Sequence, residues 1–224
     1  PEVAMRSIVL LVLVTCLAVA VPLVAQTETA TRSGPRTLLP RGEEVALARS
    51  AAPAEVSAGA RIWLWTADGY VVADSGTTNV ACFVSRSWPG SIEPACYDAE
   101  DAATILPMEI RRVELYHRGA SPAEADADIG AGLLNGTFRL PARPAVVYMM
   151  SAGQQLVSDT GRPVGAWKPH LMIYSPFLTS DAVGHHGRMD GSAGTMFEPG
   201  TATASLVVVV PEFVQPRALA SGTP

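Results

Sequence analysis

Short runs of hydrophobic residues with strand-like spacing fill residues 61–85. Three of them, at residues 61–66, 70–73 and 80–85, are rich in Trp, Tyr, Val and Ile, which is typical of β-strands. Asp68-Gly69 lies between the first two and favours a tight turn, because Gly accepts a positive φ and Asp hydrogen-bonds within its own turn. The pattern predicts an antiparallel meander that begins with a hairpin.

Helical spacing appears on both sides of this meander. Residues 43–50 contain good helix formers and a modest apolar face, and Pro53 ends the pattern. Residues 108–118 follow Pro107, which is suited to a first helical turn, and Ile110 and Val113 form their buried side. Both segments are predicted to be helices.

The clearest helix start in the chain is Ser121-Pro122-Ala123-Glu124. It combines an N-cap serine, a proline preset for the first helical position, and a glutamate that completes a capping box. Asn135-Gly136 supplies a left-handed stop. A helix is therefore predicted between these two signals.

The second half of the chain returns to strand patterns, at residues 145–150, 155–158, 170–175 and 204–210. The last is a continuous apolar run, which fits a central strand buried on both faces. Strands, then helices, then strands predict a single α+β domain, with an antiparallel sheet of about five or six strands and two or three helices packed on one face.

The N-terminal segment resembles a secretory signal peptide. Arg6 is followed by a long apolar run that ends in small residues near Ala25, which predicts cleavage there and an exported protein, secreted or periplasmic. Two alternatives stay open: the run can persist as a membrane anchor, or Cys16 can be lipidated. After cleavage no stable membrane span is expected.

The remaining chain divides into three parts. Residues 26–42 are polar and aperiodic and are predicted to be a flexible leader, residues 43–211 form the domain, and residues 212–224 form a loose tail. The chain of 224 residues is long enough for one domain with a real core.

The charge balance argues against nucleic acid as a partner. The formal net charge is −5, and loss of residues 1–25 removes one charge of each sign, Glu2 and Arg6. No basic footprint for a phosphate backbone remains.

Two cysteines remain after processing, Cys82 and Cys96. An even pair in an exported chain usually oxidises, so a disulfide is predicted that ties a returning loop to the sheet edge. The alternative, a two-thiolate metal site, lacks both C-x-x-C spacing and a nearby histidine. No metal site and no cofactor are predicted.

Val71-Val72-Ala73-Asp74-Ser75-Gly76-Thr77-Thr78 resembles the active-site signature of pepsin-like and retroviral aspartic peptidases. The resemblance implies that Asp74 is catalytic and shares a proton with a second carboxylate. Because the chain carries one copy, such a peptidase would be a homodimer. The competing interpretation is a turn between two strands, with Asp74 and Gly76 in their usual turn roles.

Histidines provide the other candidate chemistry. His185 and His186 lie in a glycine-rich loop near Asp190, and a His-based metal site there is the second hydrolase hypothesis; an exposed loop is the competing interpretation. Lys168, His170 and Tyr174 share one stretch. His170 and Tyr174 alternate with aliphatic residues, so this face of the strand is a candidate for lining a ligand pocket.

The chain also resembles uncharacterised secreted bacterial proteins that have a strand-rich half with a cysteine pair, a helical middle and a strand like Pro169–Met172. That resemblance implies no activity, and no nucleophile elbow or phosphate-binding loop is present. The sequence therefore favours a non-enzymatic exported protein that binds a small molecule or a protein, with Lys168, His170, Tyr174, His185 and His186 as ligand-binding candidates. A hydrolase and a purely structural surface protein remain as alternatives.

Overall fold

The structure, a computed structural model, describes residues 32–157, 161–184 and 195–217. In this part of the chain the helices are α1 Arg41–Arg49, α2 Ala54–Ser57, α3 Ile105–His117, α4 Pro122–Asn135 and α5 Ser180–Val183, with a 3-10 turn at Asp101–Ala103. The strands are β1 Arg61–Thr66, β2 Gly69–Asp74, β3 Ala81–Ser85, β4 Glu93–Tyr97, β5 Ala145–Met149, β6 Leu156–Val157, β7 Pro163–Gly165, β8 His170–Tyr174, β9 Thr195–Phe197 and β10 Ser205–Val209.

Eight of these strands form one sheet in the order β2-β1-β3-β4-β5-β8-β10-β9, while β6 and β7 pair separately. The α+β class is confirmed, but the predicted count of five or six strands is wrong. The sequence missed β4 because Pro94 within it argues against a strand, and it missed β9 because three residues carry little periodicity.

The hairpin of β1 and β2 is confirmed, with Thr66 opposite Gly69. The rest of the predicted meander is wrong, because β3 pairs with β1 and not with β2, and this pair is parallel. The chain leaves β2 at Asp74 and crosses the start of β1 to reach its other side. The sheet is therefore mixed, with one parallel pair among antiparallel neighbours.

Helices cover both faces of the sheet, which corrects the prediction that they pack on one face. On the first face α1 packs over alternate residues of β1, β3 and β4: Ile62, Leu64, Cys82, Val84 and Cys96. On the second face the other alternate residues join residues of α3 and α4 in a separate core: Trp65, Phe83, Ala95, Tyr97, Met108, Val113 and Ile129. Strands β3 and β4 are thus buried on both sides, and every residue of both strands is buried.

The Cys82–Cys96 disulfide is confirmed. Its place differs from the prediction, because the two cysteines lie directly opposite each other on β3 and β4. These are the third and fourth strands of the sheet, so the bond joins two inner strands and does not tie a loop to an edge.

The start of α4 matches the sequence signals. Ser121 accepts a hydrogen bond from the Glu124 backbone, the Glu124 side chain accepts one from the Ser121 backbone, and Gly136 ends the helix with φ of 80°. Helix α3 begins at Ile105, three residues before the predicted segment, so Pro107 still lies in its first turn.

Both ends of the described chain contact the domain. Arg36, within the predicted leader, is buried and donates from Nε to the Arg86 carbonyl oxygen at 2.8 Å. Val214, within the predicted tail, bridges to Ser151. Strand β10, predicted to be central, is next to the edge strand β9, and its Leu206 and Val208 are only partly buried.

Candidate functional site

A surface cleft of about 510 Å³ lies between α1 and the turn that follows β2. A cleft of this size is in the range of small-molecule sites. Three residues of α1 and five consecutive residues from the end of β2 and the turn after it line the cleft: Arg41, Val45 and Arg49, and Ala73, Asp74, Ser75, Gly76 and Thr77.

Helix α1 presents a row of three side chains to this cleft. Arg41, Val45 and Arg49 are spaced four residues apart, which places them on one face of a helix. Arg41 donates from Nη2 to the Ala73 carbonyl oxygen at 3.0 Å. Arg49 donates from Nη2 to Oδ2 of Asp74 at 2.8 Å. The two guanidinium groups therefore flank Val45 and both contact the end of β2.

The turn itself is held tightly against the start of β1. Oδ1 of Asp74 accepts a hydrogen bond from the Gly76 amide at 2.9 Å, and the amides of Thr77 and Thr78 both donate to the Gly59 carbonyl oxygen. This is the local turn chemistry expected for Asp and Gly. The hydroxyl-bearing residues Ser75 and Thr77 are exposed at the lip of the cleft.

The cleft carries a small positive charge. It holds two arginines and one aspartate, so its formal charge is +1. The ion pair between Arg49 and Asp74 is partly open to solvent, with 24% and 50% of the two side chains exposed. An ion pair with this exposure contributes little to stability.

The arrangement around Asp74 differs from a proton-sharing carboxylate pair. One oxygen faces Arg49 and the other accepts from Gly76. Among the residues that line the cleft, Asp74 is the only acid. The aspartic-peptidase hypothesis therefore still requires a second copy of the chain to supply the other carboxylate, as the sequence implied.

The other predicted ligand residues lie elsewhere. His170 and Tyr174 are at opposite ends of β8, the sixth strand of the sheet, whereas the cleft borders β2, the first. His170 is buried, and its Nδ1 lies 2.7 Å from the Lys168 carbonyl oxygen. Burial lowers the pKa of His170, and the bond to Lys168 opposes that change.

The strand face that was a candidate pocket lining is largely core. Met172 and Tyr174 belong to the cluster under α3 and α4. Burial, followed by the nearby Glu109, raises the pKa of Tyr174 well above its ordinary value. The structure therefore places His170 beside the Lys168 backbone and Tyr174 in the core at the other end of β8.

His185, His186 and Asp190 lie outside the described residues, so the His-based metal site stays a prediction. Within residues 32–157, 161–184 and 195–217, no group of three or more His, Cys, Asp or Glu side chains is placed to hold a metal ion.

An acid that the sequence did not single out is buried between the sheet and α3. Asp101 has no exposed surface, and neither of its carboxylate oxygens has a hydrogen-bond partner. Burial raises its pKa to about 8, and the neighbouring Asp98 and Glu100 add to the shift. In the sequence, the acidic residues around Asp101 have the pattern of an ordinary surface loop. Only the tertiary structure reveals that Asp101 is buried.

Arg41 and Arg49 were also missed. Arg41 fell in the predicted leader, and Arg49 lies near the end of a short helix, where an arginine is usually solvated. Their spacing of eight residues is the one sequence signal that would have placed them on the same helix face.

Comparisons with protein-family models, with curated proteins and with solved structures found no match to this chain. Across the described ranges, no helix has both the length and the apolar character needed to cross a bilayer.

Proposed function

We propose that this protein is an exported, non-enzymatic binding protein, and that the cleft between α1 and the Asp74 turn holds its ligand. The observation that carries the proposal is the combination of cleft size with a lining of two guanidinium groups, two hydroxyl-bearing side chains and the apolar Val45. Pockets with an apolar wall and a few placed polar groups are typical of small-ligand sites.

Two features support export. The apolar segment after Arg6 has the pattern of a secretory signal, and the Cys82–Cys96 disulfide is typical of oxidising compartments. The net charge of −5 disfavours nucleic acid as the partner.

A hydrolase is the second candidate, because Asp74 of the peptidase-like signature does line a cleft. Its two oxygens are bonded to Arg49 and to the Gly76 amide, and the residues that line the cleft include no second carboxylate. Replacement of Asp74 by Asn distinguishes the two candidates: a peptidase loses its activity, whereas a binding protein keeps its ligand.

The test is a small-molecule screen by thermal shift and ligand-observed NMR on the processed chain. We expect at least one compound class to bind. Ser75→Trp, which fills the cleft, should abolish that binding. Asn79→Trp, at an exposed position of the same connection but outside the cleft lining, should leave it intact. The proposal would be overturned by a screen that finds no ligand, or by a Ser75→Trp variant that binds the ligand as well as the wild-type protein does.

A further inference from the structure

We infer that the ligand of this cleft is a small organic carboxylate, which takes the place of the Asp74 side chain on Arg49 and is also held by Arg41. This inference rests on the proposed function and names the ligand class of the same site. Asp74 then competes with the ligand for Arg49 and is not a catalytic group.

Arg49 is held by the backbone on one side of its guanidinium group. Its Nη1 donates to the carbonyl oxygens of Ser57 and Ala58, so one side of the guanidinium is fixed to the backbone at the end of α2. The Nη2 on the other side contacts Asp74. A donor fixed in this way does not need to be ordered when a ligand arrives, which lowers the cost of binding.

Asp74 occupies the position beside Arg49 that the ligand would take. Its pairing with Arg49 shows that a carboxylate fits this position, with an Nη2 to Oδ2 distance of 2.8 Å. Half of the Asp74 side chain is exposed to solvent. Rotation of this side chain toward water releases Arg49 at the cost of an exposed ion pair, which is worth little, and of the bond from the Gly76 amide to Oδ1, which water can replace. An incoming carboxylate then meets the same donor.

The rest of the cleft offers further contacts for such a ligand. Arg41 uses Nη2 to bond Ala73, and its Nε and Nη1 hydrogens can reach a second ligand oxygen, since a guanidinium has five donors. Val45 lies between the two arginines and provides apolar contact for the ligand's carbon atoms, while Ser75 and Thr77 offer hydroxyls. Hydrogen bonds between an arginine and a carboxylate are charge-assisted and are among the strong hydrogen bonds in proteins.

The charges support one carboxylate per ligand. With Asp74 turned outward, the two arginines face one ligand anion, and the formal charge of the whole cleft becomes zero. A ligand with two carboxylates would leave an excess negative charge beside Asp74.

The test uses a matched pair of probes, N-acetylalanine and its amide, which differ in the carboxylate. Binding is measured by NMR titration at low salt and pH 7 on the processed chain, its Asp74→Asn, Arg41→Ala and Arg49→Lys variants, and Arg118→Ala. Arg118 is exposed at the end of α3, so this last variant removes the same charge away from the cleft.

We expect the acid to bind and the amide to bind far more weakly. Asp74→Asn should tighten binding of the acid about threefold or more, because the competing internal pair is lost. Arg41→Ala should weaken it about tenfold, the usual effect of losing a hydrogen bond to a charged group. Arg49→Lys should also weaken it, and Arg118→Ala should stay within about twofold.

Equal binding of acid and amide, or weaker binding by Asp74→Asn, would overturn the carboxylate inference. If the screen still finds a neutral ligand that Ser75→Trp blocks, the proposed function survives without it. If neither probe binds and the screen finds no ligand, both the carboxylate inference and the proposed function are contradicted. Circular dichroism of each variant shows that a loss of binding is not a loss of fold.

Discussion

Glu44 of α1 and Arg86, the residue after β3, form an ion pair in the interior, with Nη2 3.0 Å from Oε2 and at most 1% of either side chain exposed. Oε1 of Glu44 also accepts from the Trp65 amide, and Arg86 donates to the carbonyl oxygens of Thr37 and Val84. These contacts join α1 to the sheet and to the segment before it. Buried charges of this kind are costly to leave without a partner.

We expect Glu44→Gln to lower the free energy of unfolding by about 3 to 5 kcal/mol, because it leaves the Arg86 guanidinium buried without its counter-charge. Urea denaturation measures this difference. Glu43→Gln is the matched control, since Glu43 is exposed on the same helix, and should change stability by less than about 0.5 kcal/mol. Equal midpoints for the two variants would contradict this view of the pair.

Asp101 gives the protein a pH dependence with a defined sign. Its pKa is raised to about 8 by burial, so the folded state keeps a proton that the unfolded chain releases near its ordinary pKa. The folded state is therefore favoured at low pH, and this contribution is lost as the pH rises from about 4 to about 8.

Asp101→Asn should reduce the loss of stability between pH 5 and pH 9, by about 1 to 3 kcal/mol, because Asn stays neutral throughout. Thermal unfolding at several pH values checks this. Asp68→Asn removes the same charge from an exposed turn and should leave the pH profile unchanged. A profile of Asp101→Asn that parallels the wild type would show that Asp101 is ionised in the folded protein.

Among the elements, the connection from β2 to β3 decides the topology of the sheet. It passes so close to the start of β1 that a Cβ at Gly76 would lie 2.5 Å from the Arg61 nitrogen and 2.6 Å from the Ala60 carbonyl carbon. Gly76 also has φ of 67°, where residues with a side chain are strained. The crossing that makes β3 parallel to β1 thus depends on this glycine.

Gly76→Ala should destabilise the protein by about 3 kcal/mol or more, because backbone atoms must move as well as φ. Gly90→Ala separates the two effects: Gly90 has φ of 82°, but its Cβ would meet no atom within 4 Å, so we expect a cost of about 1 kcal/mol. Chemical denaturation compares them. Similar losses for both variants would mean that the crossing relaxes easily.

Strand β2 lies at an edge of the sheet, and side chains from two helices form hydrogen bonds with its backbone. The Tyr70 amide donates to Glu114 of α3, and the Ala73 carbonyl oxygen accepts from Arg41 of α1. Charged side chains on an edge oppose pairing with other chains. Arg41 therefore has a structural contact in addition to its place in the proposed site.

At the scale of the whole molecule, the disulfide is the covalent link between two strands that helices cover on both faces. It closes a loop over a sequence separation of 14. In the chain-entropy model such a loop adds about 3 kcal/mol by restricting the unfolded chain.

Reduction should lower the urea midpoint of the wild-type protein by an amount that corresponds to about 3 kcal/mol. The double variant Cys82→Ser, Cys96→Ser should unfold at the lower midpoint with or without reductant. An unchanged wild-type midpoint after complete reduction would show that sheet packing alone supplies the stability.

Local signals in the sequence were accurate where the residues that form a structural feature all lie within one short segment. Ser121, Pro122 and Glu124 specify the start of α4 because the capping bonds join residues three apart. The turn before Gly69 specifies the first hairpin for the same reason. Cys82 and Cys96 were paired correctly because, once the predicted signal segment is set aside, no other cysteine remains.

The sequence was less accurate where distant segments compete for the same partner. Strand β3 can pair with β2 or with β1, and its apolar residues are equally suited to both, so the parallel pair was not foreseen. Leu206 and Val208 belong to an apolar run that suggested a central strand, yet their exposure depends on which helix reaches that part of the sheet.

The sequence by itself determined the α+β class, the strands of the first hairpin, the capped helix α4 and the disulfide pair. The first three follow from residues that are near one another in the chain, and the disulfide follows from the number of cysteines. Tertiary structure alone decided the order of eight strands, the helices on both faces and the cleft in which Arg41 and Arg49 meet Asp74. Those features arise from packing between segments far apart in sequence, and a periodic pattern records that a residue is buried but not what it is buried against.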